Sequence, residues 1–399
     1  MKIIKSYKYR LYPNKTQKVL LGKTFGCTRF IWNNYIETFK SYDEYKNSKP
    51  KYKTPKQLKA EFSWLSEVSQ ATLQQKIRDF EQTKTQFFNK KRKTIIGYPK
   101  YKNKYSRQTF RLPNTKFKIK DSKIQLEKIG KIQYVKDRNL PEDVKLLSVT
   151  VSKELNEKYY ISINFEIEKE NYKNKEQKPN VGIDLGVSSL ATLSDGIQFE
   201  NPKWFDKNHA KLKKAQRHLS QKNKGSNRYK RQKLKVSKIH SKIKNQRDWH
   251  LHNISRYIVD NYNEIGMEDL RVDTMLKSKM MSKSISDSSM SKLKTFIIYK
   301  QKFDYNKEVV LLGTFEPSTK ECNECGNIQN MKLSDREFVC TGCGNVIMNR
   351  DLNASKTILR KTVGVTTDYK RGEIVRPTVH SNVKWRLISR KRSELKHNL

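Results

Sequence analysis

Acidic residues are scarce in this chain: 40 Asp and Glu stand against 85 Lys and Arg, leaving a formal charge of +45 over 399 residues. Such a surface needs a polyanion as its partner. Cysteine is equally thin, five in all, which excludes a disulfide scaffold. Long apolar runs are missing: no segment approaches the roughly 20 residues a spanning helix needs. The opening "MKIIKSYKYRLYP" is charged throughout, with no apolar core of signal-peptide length. These absences lead us to expect a soluble, cytoplasmic protein without a membrane or small-molecule partner, of two to four domains.

What is present fits nucleic acid. The positive charge runs along the whole chain and is punctuated by 20 Tyr, 16 Phe and 5 Trp, rings that can stack on bases while cations neutralise phosphates. The stretch "GYPKYKNKYSRQTFR" interleaves the two, giving Tyr98, Lys100, Tyr101, Lys102 and Arg107 as candidate contacts. A second candidate tract runs from Lys203 to Arg247, with seventeen Lys and Arg and the single acid Asp206. Surface helices normally mix signs, so Arg228, Lys230, Arg231 and Lys233 are assigned to phosphate binding. Lys8 and Arg10 join them, because "IIKSYKYRLY" alternates Tyr7, Tyr9 and Leu11 inward with a cationic outer face.

Four cysteines sit as Cys322-x-x-Cys325 and Cys340-x-x-Cys343, each pair followed by Gly. Two thiolate pairs at that spacing, on knuckles that Gly allows to turn back, form a tetrahedral structural zinc ribbon. Cys27 has no partner and reads as a small buried hydrophobe.

The pattern along the chain changes several times. Asn14, after Pro13, is a helix N-cap, and helical periodicity follows through Val19, Leu20, Phe25 and Phe30, then again from Ser69 to Lys91 with Leu73, Ile77, Phe80 and Phe87 inward. Two alternating runs, "FRLPNTKFKIKDSKIQLEKIGKIQY" and "LSVTVSKELNEKYYISINFEIE", read as hairpins that complete a small β-barrel begun by the first strand. After a polar linker come "VGIDL", "LATLS" and "IQFE" as strands, two basic helices, the strand "IGME", and a last helix from "NRDLNASKTILRK".

Three carboxylates stand in apolar or element-terminal settings: Asp184, Glu268 and Asp351, separated by 84 and 83 residues. A mixed sheet with the first strand beside "IGME" and the last helix across them would unite the three. They cannot all ionise cheaply without a cation between them. Two Mg²⁺ ions about 4 Å apart would satisfy them and would support phosphodiester hydrolysis. Asp269 could equally be the second ligand, and Asp351 could be only a helix cap.

The segments "GIDLGVSSLATLSDG", "IGMEDLRV" and "NRDLNASKTIL", with a four-cysteine ribbon before the third, resemble the split RuvC nuclease core of the TnpB family, insertion-sequence-encoded relatives of type V CRISPR effectors. The resemblance covers residues 1 to about 360 and includes "YKYRLYPNKTQKVLLGKTFGCTRFIWN" and "EPSTKECNECG". It implies that Asp184, Glu268 and Asp351 are the catalytic acids and favours Glu268 over Asp269. It implies an α+β multidomain fold: a first barrel strand (1–13), a helical recognition block (14–92), the rest of the barrel or wedge (93–168), a linker (169–180) and a ribonuclease-H-like RuvC core (181–316 and 349–362) carrying the ribbon (317–348); residues 363–399 lie beyond the resemblance and, with many cations and few core residues, read as a basic tail that is disordered or folds only on a partner. It further implies an RNA-guided, Mg²⁺-dependent DNA endonuclease of a prokaryotic transposable element, nucleoid-associated, holding a guide RNA from the element's end and reading a short motif beside double-stranded target DNA. One departure is Asn349, where the family usually has an acid; at most a rate effect is expected. A DNA transposase or integrase, a cleavage-deficient RNA-guided repressor and a nonspecific RNA-binding protein are the competing classes.

Overall fold

The computed structural model describes residues 2–38, 52–89, 97–105, 107–168, 172–173, 177–270, 282–313, 316–332, 335–344 and 347–364. The chain forms two compact units, one of residues 1–171 and 208–244, the other of residues 172–207 and 245–399. Sequence pattern alone keeps 208–244 with the second half. The carboxy-terminal tail beyond 364 and the stretch 90–96 lie outside the described residues.

In the first unit, β1 (Lys2–Tyr12) alternates as its sequence requires: Tyr9 and Leu11 are buried while Lys8 and Tyr12 are exposed. It pairs antiparallel with both β5 (Gly130–Tyr134) and β7 (Tyr159–Glu168). With β2 (Gln108–Pro113), β3 (Phe117–Lys120), β4 (Lys123–Leu126) and β6 (Lys145–Lys153), they make a seven-stranded sheet in the order β2-β6-β7-β1-β5-β4-β3. Its edge strands β2 and β3 are joined by the three-residue turn Asn114–Lys116. So short a link forces the sheet to curl until its edges nearly meet, which is the closure that protects unpaired strands.

Helix α1 (Lys15–Glu37) starts on a capping box: Asn14 Oδ1 accepts from the Gln17 N–H at 2.8 Å and Gln17 Oε1 accepts from the Asn14 N–H at 3.0 Å. Its Leu21 and Phe25 enter the core of this sheet, where Phe25 meets Phe110 at 5.3 Å between ring centroids. The next turns, through Ile31, Trp32 and Tyr35, pack instead with Leu58, Leu73 and Phe80 of α2 (Pro55–Glu61) and α3 (Gln70–Phe88). One helix thus serves two apolar clusters. Val19, at a helical spacing in the apolar pattern, is exposed, because the buried stripe of α1 begins with Leu21.

In the second unit, β8 (Val181–Asp184), β9 (Ser189–Leu193), β10 (Gln198–Glu200), β11 (Ile265–Glu268) and β12 (Val310–Leu312) form a sheet in the order β10-β9-β8-β11-β12. β8 and β11 are parallel, as are β11 and β12, while β9 runs antiparallel to both of its neighbours, β8 and β10. The basic helices α4 (Trp204–Ser220) and α5 (Asn227–Asn261) follow β10; the later part of α5 buries Leu251, Ile254 and Ile258 with α6 (Ser282–Ser288) and α7 (Met290–Tyr305). The ribbon contributes the hairpin of β13 (Glu337–Val339) and β14 (Ile347–Asn349) before α8 (Arg350–Thr362).

Helix α8 lies directly on the sheet because two glycines let it. A Cβ on Gly182 would stand 2.1 Å from the Ser355 carbonyl oxygen, and one on Gly266 1.9 Å from Thr362 Oγ1. Neither space exists, so the helix axis could not come so near β8 and β11 if these strands carried side chains there.

Candidate metal and nucleic-acid sites

The second unit gathers the three acids. In the register of β8 with β11, Ile183 stands beside Met267, so the next residues, Asp184 and Glu268, close the carboxyl ends of adjacent parallel strands. Ligand sites of open α/β sheets form at such ends. Asp351 enters from the first turn of α8, where the Asn349 side chain accepts from the Asp351 and Leu352 N–H groups at 2.9 and 3.2 Å. Asn349 is therefore a helix N-cap, a task that an amide oxygen performs as well as a carboxylate does.

The electrostatics of this corner are strained. Burial, then the charges of Asp351 and Glu268, push the Asp184 carboxyl up to about 7. Burial likewise raises Glu268, opposed by Lys294 and by a hydrogen bond from Ser318. Arg350 offers partial relief, with Nη2 3.4 Å from Asp351 Oδ1. Asp269 faces elsewhere: its side chain is about half exposed and accepts from Lys294 Nζ at 2.5 Å. Arg350 and Ser318 fall within "NRDLNASKTIL" and "EPSTKECNECG", but only the fold, which sets them and Lys294 beside the acids, gives the three a role.

The four ribbon cysteines also converge. Among the described residues they alone bring three or more potential metal-binding atoms of His, Cys, Asp or Glu within 4.8 Å of one another; the three carboxylates are more widely spaced. Cys322 Sγ lies 3.9 Å from Cys343 Sγ, and Cys325 Sγ 3.5 Å from Cys340 Sγ. A tetrahedral zinc with bonds of about 2.3 Å separates its sulfurs by about 3.8 Å, so the quartet fits the ion. Gly326 and Gly344 adopt φ of +74° and +67° and donate back to the Cys322 and Cys340 carbonyls at 3.1 Å. Backbone N–H groups of Cys343 and Gly342 draw the Cys340 thiol down to about 6, toward the thiolate that metal binding requires. Cys27, by contrast, is pushed up to about 11 by burial and is inert.

The ribbon is tied to α8. Asn353 Nδ2 donates to the Glu321 carbonyl at 2.6 Å, its Oδ1 accepts from the Asn323 N–H at 3.0 Å, and Arg360 pairs with Glu321 at 2.6 Å. The helix that carries Asp351 is thus held by the four-cysteine module.

The expected nucleic-acid contacts divide in the first unit. Arg228, Lys230 and Arg231 are exposed on α5, and Lys233 lies 3.9 Å above the Tyr105 ring, which brings the basic tract to the tyrosine-rich connector. On β1, Lys8 pairs with Glu154 at 2.8 Å, and Arg10 stands over the Tyr160 and Tyr12 rings. Lys100 is exposed. Tyr98 packs on Phe87 at 5.3 Å, and the Tyr101 hydroxyl donates to Glu37 while its ring stays exposed. Arg107 and Lys102 line a narrow cleft with Arg29 and Lys76, of which the last two carried no signal in the sequence.

Comparison with known proteins decides the family. A model described as "Probable transposase" of the OrfB IS605 type matches residues 162–279, a helix-turn-helix model of the same type matches 1–48, and the Cas12f1-like TNB domain matches 291–358. A Streptomyces pristinaespiralis protein named "Putative RNA-guided DNA endonuclease" is 33% identical over 365 residues, covering 89% of this chain and 88% of its own. The chain belongs to the TnpB family. Another relative, InsQ of Escherichia coli K12, carries the same description and is 30% identical over 382 residues, covering 90% and 92% of the two chains. The Cas12f1 endodeoxyribonuclease of Sulfoacidibacillus thermotolerans is 25% identical over half of each chain. In three dimensions the chain resembles Cas12f1 solved with single guide RNA and target DNA, at a TM-score of 0.50 and 14% identity, covering 90% of this chain and 98% of that one. That likeness supports the α+β multidomain fold. Among the described residues no helix is long and apolar enough to cross a membrane.

Proposed function

We propose that this TnpB-family chain is an RNA-guided DNA endonuclease whose catalytic acids are Asp184, Glu268 and Asp351. The observation that carries the reading is the Asp184 carboxyl, raised to about 7 by burial and by the other two acids at the end of β8. A charge deficit of that kind is what a divalent cation relieves. The three carboxylates would hold Mg²⁺, and a spacing wider than one ion's shell suits two ions. Bound there, the metal would supply Lewis-acid activation of water and stabilisation of the leaving oxygen.

The chain's own residues set the geometry. Ser318 and Lys294 restrain Glu268, the Asn349 cap fixes the first turn of α8 under Asp351, and Gly182 and Gly266 admit the helix to the strand ends. Glu268 is favoured over Asp269 because Asp269 is committed to Lys294 and half exposed. The sheet order, with α8 lying on β8 and β11, supports a ribonuclease-H-like core of the RuvC kind in the second unit. The curled sheet and helical block of the first unit, with the basic tract, would hold the guide and the opened target. The cysteine quartet would carry one structural zinc. Sequence specificity then lies in base pairing, and the protein reads shape, backbone and a short adjacent motif.

The test is retargeting. Protein produced with RNA from its own element's end should carry that RNA through high-salt purification, and Mg²⁺-dependent cutting should move when the guide segment alone is replaced. Cutting that stays at one fixed sequence after guide replacement or ribonuclease treatment would reject the RNA-guided reading.

A further inference from the structure

We propose that the cleft formed by Arg29, Lys76, Lys102 and Arg107 in the first unit is a seat for one backbone phosphate of a bound nucleic-acid strand. The proposal rests on the nucleic-acid reading above but not on cleavage or guidance. The cleft's walls come from separate elements: Thr28 and Arg29 from α1, Lys76 from α3, Lys102, Asn103 and Arg107 from the connector, and Gln108 and Thr109 from the start of β2. A site assembled from four distant stretches is a product of the tertiary fold.

Its charges do not balance. Lys76 is almost fully buried, and its Nζ is bonded to Asp79 at 2.8 Å. Lys102 is half-buried with its ammonium 3.3 Å from the centroid of the Trp32 ring, and Asn33 fixes its backbone on both sides: the Lys102 N–H donates to Asn33 Oδ1 at 2.8 Å and the carbonyl accepts from Nδ2 at 2.8 Å. Arg29 and Arg107 form no hydrogen bond or ion pair among the described residues. The cleft is thus lined by four cations and no carboxylate, and Asp79 beside it is already bonded to Lys76. Burial and the Lys76 charge lower the Lys102 ammonium to about 8, the direction expected of a cation held without its counter-ion.

Size selects the occupant. The cleft has room for about 20 Å³, slightly more than one water-sized group. A nucleobase is too large for it, whereas a single phosphate oxygen is not, and Thr109 lies beside it; the Asn103 and Gln108 side chains there are already bonded to the Tyr105 N–H and the Lys104 carbonyl. Lysine and arginine forks are the usual means of fixing a strand's backbone.

Full-length protein freed of nucleic acid tests the proposal with two probes of arbitrary sequence, a single-stranded RNA and a DNA duplex, titrated over a range of salt. Arg29→Gln, Arg107→Gln and Lys102→Met are compared with the parent. We expect the slope of log K against log salt to flatten by about 0.7 for RNA or about 0.9 for duplex for each phosphate no longer neutralised, in the arm whose strand occupies the cleft. The two arginine variants break no bond within the protein, so their melting temperatures should match the parent's, and they decide the matter if Lys102→Met fails to fold. Slopes parallel to the parent's in both arms, for every variant that folds, would overturn the proposal and return Lys102 to a packing partner of Trp32. Because no cleavage is read, this result stands or falls separately from RNA guidance.

Discussion

The strand ends of the second unit hold three carboxylates with too little positive charge, while the cleft of the first unit holds four cations with too little negative charge. The acid corner departs from the rule that buried charges are paired, and Lys102 departs from it in part, being half-buried with the Trp32 ring against its ammonium. The Asp184 carboxyl is driven up to about 7 and the Lys102 ammonium down to about 8, so both groups are held nearer to neutrality than they would be in water. The difference between them is instructive. The acids sit on rigid elements, two strand ends and a helix start, which suits chemistry needing fixed positions. The cations come from helices and an irregular connector, which suits a backbone contact that only has to neutralise and orient.

The largest effect should separate the acid corner from its neighbour. Glu268→Gln and Asp351→Asn should each lower cleavage by about three orders of magnitude or more, a loss of at least about 4 kcal/mol of transition-state stabilisation, whereas Asp269→Asn should change it severalfold at most. Single-turnover cleavage of a matched target reads both. A dead Asp269→Asn beside an active Glu268→Gln would reverse the assignment of the second ligand.

Next comes the ribbon that holds α8. Cys322→Ser or Cys340→Ser should lose zinc, lower the melting temperature and abolish activity indirectly, because a structural zinc site contributes folding free energy. Elemental analysis and thermal melts decide it. An active preparation with far less than one zinc per chain would show that the ribbon does not depend on the metal.

A smaller effect sharpens the comparison through pH. The Asp184 carboxyl is protonated in folded and unfolded chains alike below about pH 4. Between there and about 7 the folded, metal-free chain retains a proton that the unfolded chain has released, so this residue's contribution makes stability fall as pH rises. Asp184→Asn should therefore melt above the parent at pH 8 without metal and match it near pH 4. Mg²⁺ added at pH 8 should narrow the gap. Melting curves that stay parallel across this range would mean that the acid corner carries no such penalty.

The smallest effect concerns the exposed tract. Neutralising Lys230, Arg231 and Lys233 together should weaken nucleic-acid binding and reduce its salt slope by up to about 0.9 per residue. An unchanged slope would make them an ordinary solvated face.

Much of this was legible in the sequence, for identifiable reasons. Asp184 stood out because a carboxylate closes a β-branched strand, and the cysteines because metal spacing is local. The alternation of β1 and the Asn14 cap followed from period and from side-chain chemistry. Tyr98 and Tyr101 show where such reading stops: composition finds aromatic rings but cannot say that one packs on Phe87 and the other bonds Glu37. Arg29 and Lys76 were silent, since a cation on an amphipathic helix looks the same whether it faces water or a cleft. Val19 shows that an apolar residue at helical spacing can still fall outside the buried stripe.

The most direct measurement pairs binding with cleavage for Asp184→Asn in its guide complex. The parent should cut a guide-matched duplex in Mg²⁺, and the variant should bind that duplex with an unchanged Kd while leaving it intact. A variant that cuts at the parental rate would contradict the claim that these three acids perform the chemistry.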